Sequence, residues 1–202
     1  MKTIITLQDY NASVLELVTL PNILLAWYMS PASLSYRSSV SLDDELEHHP
    51  EADPTRPSTL PLPPALKEAF QVSLAELDIE LRFFYGSWQT FHPDPQDVVL
   101  TSETIYRSDV LESLIRVLKE SSKSATDEPQ SEAETFGLEK KLSLNSTLRY
   151  RCLIAAKVLY FGVGGGVSDF VQSVEGKGLG KVETVWEKKV GVGRKIMNVQ
   201  WS

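Results

Sequence analysis

Apolar and polar positions along the 202-residue chain form a series of blocks whose periods differ. The first, "TIITLQDYN", is β-branched and apolar up to Leu7 and polar after it, the pattern of a buried strand whose carboxyl end emerges at Gln8 and Asp9. Asn11 is then placed to cap a helix with Val14, Leu15, Leu17 and Val18 on its inner side. "ALKEAFQVSLAELDIELRFFYGSW" starts with helical spacing and closes as a short strand ending at Gly86. "DVVL", bounded by Pro95 and by "TSET", reads as a central parallel strand. The clearest helix follows: "SDVLESLIRVLKES" sets Val110, Leu111, Leu114, Ile115 and Leu118 at steps of three and four, with Ser108 or Asp109 as its cap.

"RCLIAAKVLYF" returns to the buried-strand pattern, and "VSDFVQSVEG" places Val167, Phe170, Val171 and Val174 at helical steps. At the end, "KVETVWEKKV" and "RKIMNVQWS" alternate in part around "GVG", which predicts an antiparallel pair with Met197, Val199 and Trp201 on one face. The order is strand, helix, strand, strand, helix, strand, helix and a closing hairpin. That succession defines an α/β sheet with a hairpin at one edge.

Composition changes this picture in two places. Residues 30–64 are rich in proline and serine and contain the acidic run "LDDELEHHPEADP", and residues 121–141 are acidic and serine-rich. Neither stretch has the apolar content to offset ordering entropy, so both are expected to be flexible inserts in one domain spanning residues 1–202. The net charge of −7 argues against bulk binding to nucleic acid or to an anionic membrane and favours a basic partner. The lone cysteine, Cys152, can form no internal disulfide, which suits a reduced intracellular setting. "VLELVTLPNILLAWYM" carries Glu16 and Pro21 and is shorter than the ~20 apolar residues that span a bilayer. A soluble protein is expected.

Ligands of open α/β sheets bind beyond the carboxyl ends of the strands, which directs attention to "QDYN", "GSW", "TSETIY" and "YFGVGGG". An acid at a strand end, Asp9, can accept hydrogen bonds from both hydroxyls of a ribose; a turn or capping acid is the simpler account of the same residue. In "TSETIY", capping explains Thr101 and Ser102 but leaves Glu103 and Tyr106 over. Glu103 can orient or deprotonate a nitrogen nucleophile, and Tyr106 can wall a flat ring. The glycines from Gly162 to Gly166 invite a phosphate-cradle reading, but Val167 stands where both nucleotide fingerprints need glycine. They suit a tight strand-to-helix turn instead. His48 and His49 lie in the acidic insert without the fixed geometry of a zinc site, so no metal is expected.

Taken in order, "QDYN…VTLPN", "FFYGSW", "LTSETIY" and "KVLYFGVGGGVSDF" resemble the histidine protein methyltransferase family, from about Ile4 to the C-terminus. The resemblance implies a Rossmann-like seven-strand sheet with a C-terminal antiparallel hairpin, S-adenosylmethionine as cofactor, and a histidine of a large-subunit ribosomal protein as substrate. It also implies a monomer of cytoplasm and nucleus with no direct nucleic-acid or membrane partner. By residue, it implies that Asp9, Tyr10, Gly86, Ser87, Trp88, Thr101 and Ser102 bind the cofactor and that Glu103 and Tyr106 are catalytic. Tyr160, Phe161, Gly162, Gly164, Gly165 and Gly166 would face the target histidine. Ser87 stands where the family carries an acid. The family's first strand and its glycine loop have no counterpart here, so an N-terminally truncated chain is expected, and a non-catalytic remnant or binding module is the competing reading.

Overall fold

The computed structural model describes residues 2–40, 53, 55, 59–122, 150–160 and 165–202. They divide into two units, Met1–Ser87 and Trp88–Ser202, each with its own sheet.

In the first unit, β1 (Thr3–Asp9) and β2 (Ile79–Tyr85) pair in parallel, from Thr3 opposite Ile79 to Asp9 opposite Tyr85. Both carboxyl ends therefore emerge together. Between them lie α1 (Ala12–Val14), a π-helical segment over Leu15–Thr19, α2 (Leu20–Met29), a 3-10 turn at Pro31–Ser33, α3 (Leu34–Val40) and α4 (Pro64–Glu76). Leu24, Trp27 and Tyr28 of α2, Tyr36 of α3, and Leu66 and Phe70 of α4 form the core, and Leu81 of β2 packs against it. The Trp27 ring meets the Phe70 ring edge-on at 5.4 Å between centroids.

Three expectations need correction here. Leu15 is buried but Leu17 and Val18 are exposed, because the π-helical turn has a longer repeat than 3.6 residues and rotates those positions off the inner face. Asn11 is extended but makes no side-chain cap; its N–H donates instead to Asp9 Oδ1 at 2.8 Å. Residues 31–40, assigned by composition to a flexible insert, are helical. Serines here bond locally: Ser30 Oγ accepts from Ala32 N at 3.2 Å, and the buried Ser33 donates to the Tyr28 carbonyl at 2.6 Å. Serine satisfies nearby backbone as readily in a helix turn as in a loop, so its abundance misleads. The middle of that insert and residues 123–149 lie outside the described residues. One helical run, Ala12–Met29, is long and apolar enough to cross a membrane by length and composition alone, yet three of its side chains belong to this core.

The second unit is a four-stranded sheet of order β3-β4-β6-β5, made of β3 (Val98–Ser102), β4 (Arg151–Lys157), β5 (Gly180–Lys188) and β6 (Arg194–Trp201). β3 runs parallel to β4, while β6 is antiparallel to both β4 and β5. Helices α5 (Leu111–Ser121) and α6 (Val167–Glu175) lie on one face. Leu111, Leu114, Ile115 and Leu118 of α5, Phe170 and Val174 of α6, and Cys152, Ile154, Met197 and Val199 of the sheet make the core. The predicted cap of α5 is replaced by a 3-10 turn at Ser108–Val110 with no side-chain cap.

β3 is not central among the described residues: it pairs with β4 alone. Val98 and Leu100 on its open face are 56% and 71% exposed. The first strand departs from expectation in the same way, since β1 pairs only with β2 and leaves Ile4 and Ile5 exposed instead of buried.

Candidate functional site

The carboxyl ends of β3 and β4 hold a connected polar group in the second unit. Glu103 follows β3 in a left-handed conformation, with φ of 57°, rare for a residue bearing a side chain. It is held there by its N–H, which donates to the Ala155 carbonyl of β4 at 2.9 Å. Two residues on, Ile105 is wholly buried in the core, so the loop is nailed down immediately after the turn. The Glu103 side chain faces Tyr160, whose hydroxyl donates to Glu103 Oε2 at 2.9 Å and accepts from the Lys157 N–H at 3.2 Å. Lys157 Nζ lies 3.6 Å from the same Oε2 and 5.8 Å from the centre of the Tyr160 ring. One carboxylate oxygen thus carries both partners, and no partner is recorded for Oε1 among the described residues. Burial, and then the bond to Glu103, push the Tyr160 hydroxyl up to about 12, against smaller downward pulls from the Lys157 N–H and then from Arg194. Tyr160 stays a phenol and a donor at neutral pH.

Tyr106 is part-exposed, with its ring centre 6.1 Å from that of Tyr160 and tilted by 44°. Gly165 closes the other side: a Cβ there would meet the Tyr106 carbonyl oxygen at 2.6 Å, so only glycine permits the approach. Gly166 is extended and bridges to Leu159, which shuts the base of the loop that follows β4. Glu103, Tyr106, Tyr160 and Gly165 are therefore brought together. Phe161, Gly162 and Gly164 lie outside the described residues. Thr101 bonds Thr104 at 2.8 Å between hydroxyl oxygens, and Ser102 ends β3.

A second group sits at the ends of β1 and β2 in the first unit. Asp9 and Gly86 adjoin there, with the Gly86 N–H donating to the Asp9 carbonyl at 3.0 Å and Gln8 Nε2 donating to the Gly86 carbonyl at 2.9 Å. Gly86 has φ of 118°, which favours glycine. Asp9 Oδ1 is taken by the Asn11 N–H, the turn role weighed from the sequence, while Tyr10 is exposed. Ser87 closes this unit. Trp88 opens the next, packed against its core.

Sequence reasoning missed four residues. Lys157 lies inside the buried-strand run "RCLIAAKVLYF", and Gln8 and Ile105 lie inside "QDYN" and "TSETIY" with no role assigned to either. Arg116, on the solvated side of α5, donates to the carbonyls of Trp88 at 2.5 Å and Phe91 at 2.9 Å and pairs with Glu120 at 2.6 Å. Only its i,i+4 spacing to Glu120 is visible in the sequence. Among the described residues no group of acids, histidines or cysteines is arranged to hold a metal.

The fold is thus mixed α/β, with polar clusters at the carboxyl ends of parallel strands. The chain resembles the histidine protein methyltransferases over most of its length. It is 29% identical over 172 residues to histidine protein methyltransferase 1 of Schizosaccharomyces pombe, covering 81% of this chain and 38% of that protein. Against the Saccharomyces cerevisiae protein of the same name it is 28% identical over 180 residues, covering 85% and 41% respectively. The Rattus norvegicus homolog matches at 28% over 200 residues, 95% of this chain and 42% of its own length. The chain therefore spans about two-fifths of the length of these curated relatives. No family model matches. A solved structure described as a pericyclic reaction enzyme aligns over 100% of this chain and 44% of its own, at 12% identity and a TM-score of 0.39, a likeness too slight to bear on fold or function.

Proposed function

We propose that this chain carries the later strands of an S-adenosylmethionine-dependent protein-histidine N-methyltransferase whose substrate is a histidine of a large-subunit ribosomal protein. The observation that carries the reading is Glu103: a carboxylate at a parallel strand's end, fixed through Oε2 by Tyr160 and Lys157, with Oε1 left to accept a hydrogen bond. An imidazole N–H bound at Oε1 would fix the ring's tautomer and leave the lone pair of the opposite nitrogen to attack. The carboxylate also balances the positive charge that grows on the ring as it is alkylated. Tyr106 and Tyr160 supply a wall for that ring, and Gly165 supplies room beside it.

The cofactor, when bound, supplies a methyl group already activated on a sulfonium, so the protein's task is alignment. Asp9 suits a sugar diol: its Oδ1 is engaged by Asn11, and Oδ2 is left for a hydroxyl. Tyr10, Gly86, Ser87 and Trp88 are assigned to the base, and Thr101 and Ser102 to the methyl-donor side. The fit is partial. No glycine precedes Gly86 in the chain, so the glycine loop implied for the methionine end is not among its residues.

The sheet orders support a seven-strand reading. Among the described residues β1 in its sheet and β3 in its own each lack a strand partner on one side, as expected of strands that flank a further parallel strand. The test is Glu103→Gln in the protein completed with that strand and loop. Methyl transfer to histidine is expected to fall about 100-fold with cofactor affinity unchanged. An unaltered rate would remove Glu103 from the chemistry.

A further inference from the structure

The strand register places Lys157 of β4 opposite Arg194 of β6, and Arg194 opposite Lys188 of β5. Cross-strand partners share a face, so three cations stand in one row, at steps of roughly 5 Å, on the face of the sheet away from α5 and α6. Like charges directly opposite one another destabilise a sheet. On the other face the same hairpin avoids this: Glu187 pairs with both Lys189 at 3.7 Å and Lys195 at 3.6 Å. In the row, Lys157 shares Glu103, while Arg194 and Lys188 have no ion-pair partner among the described residues. One carboxylate faces three cations, at the site end of a chain whose net charge is −7. Beside the row on the same face, Trp186 lies opposite Ile196 with 49% of its surface exposed. The row starts at Glu103 and runs across β4, β6 and β5, away from β3 and the residues assigned to the methyl donor.

We propose that the row Lys157, Arg194 and Lys188, with the Trp186 indole, is a docking surface for a short single-stranded RNA segment lying next to the methylation target. Unpaired cations neutralise phosphates, and an exposed indole stacks a base; an acidic peptide would satisfy the charges but would leave the indole without a partner. The inference departs from the expectation drawn from net charge, because a local row is invisible in a sum. It rests on the proposed site only for its location, and its test needs neither cofactor nor methyl transfer.

The test is fluorescence anisotropy of a labelled oligouridine of roughly ten nucleotides with the 202-residue chain, between about 50 and about 200 mM salt. The double variant Lys188→Gln/Arg194→Gln should weaken binding at least about tenfold at the lower salt and reduce the salt slope by about 1.4, the value for two phosphates on a single strand. Trp186→Ala should weaken it at least about fivefold with the slope unchanged. Lys189→Gln/Lys195→Gln, on the opposite face, should leave it as it was, and circular dichroism confirms that each variant is folded. Absence of binding at low salt, or an equal loss from the opposite-face pair, overturns the docking surface. Binding insensitive to Trp186→Ala, or an acidic peptide of equal charge that binds as tightly, overturns its assignment to RNA.

Discussion

Two residues at the candidate site are constrained in ways that stability measurements can read. Gly165 sits against the Tyr106 backbone so closely that alanine must push one strand-end loop off the other. Gly165→Ala should cost about 1–3 kcal/mol, seen as a lower urea midpoint at unchanged slope; an unchanged midpoint would mean that the loops do not touch. Tyr160 carries the pH signature. Its hydroxyl is raised to about 12 in the folded protein, whereas an unfolded tyrosine titrates near 10. The unfolded chain therefore loses this proton first as pH rises. The stabilisation is whole below about pH 10 and is lost as pH climbs through about 12. Tyr160→Phe should flatten that part of a stability-against-pH curve, and an equally steep alkaline fall in the variant would place the titration elsewhere. The sequence made Glu103, Tyr106 and the glycines conspicuous because polar residues and glycine crowd the ends of apolar runs. It concealed Lys157, whose role depends on the parallel register that brings β4 beside β3, and a register between residues fifty positions apart leaves no local trace.

At the level of elements, periodicity served best where a helix packs on a sheet. Phe170, Val174, Leu114 and Leu118 were legible because one face of α5 and of α6 is buried and the other wet. Phe170 is wholly buried between helix and sheet, so Phe170→Ala should destabilise the second unit by about 3–5 kcal/mol, measurable by urea unfolding followed at the tryptophans. A loss below about 1 kcal/mol would show that the cavity collapses at little cost. Periodicity failed over Leu15–Thr19, where the backbone abandons the 3.6-residue repeat that the method assumes, and over residues 31–40, where local serine hydrogen bonds sustain helix in a composition typical of loops. The α5 cap failed for a related reason: a 3-10 turn satisfies the first N–H groups through the backbone and needs no side chain.

For the whole molecule, the succession of strands and helices along the chain and the closing antiparallel pair follow the sequence reading, while the central place expected for β3 does not: among the described residues β1 and β3 each have a strand partner on one side only. Calorimetry of the 202-residue chain with S-adenosylmethionine should accordingly show no micromolar binding, and fusion to a segment that supplies the strand and glycine loop should restore it. Micromolar binding by the unaided chain would contradict the need for that strand. The open flank of β3 has a further consequence, for how the protein behaves in a concentrated solution. Among the described residues β3 has no strand partner on its outer side, and with the exposed side chains of Val98 and Leu100 that edge forms a template on which an extended chain can add. Light scattering should rise with concentration and subside when Leu100 is replaced by lysine, and the same flank would make the isolated chain a client of cellular chaperones before it meets anything else.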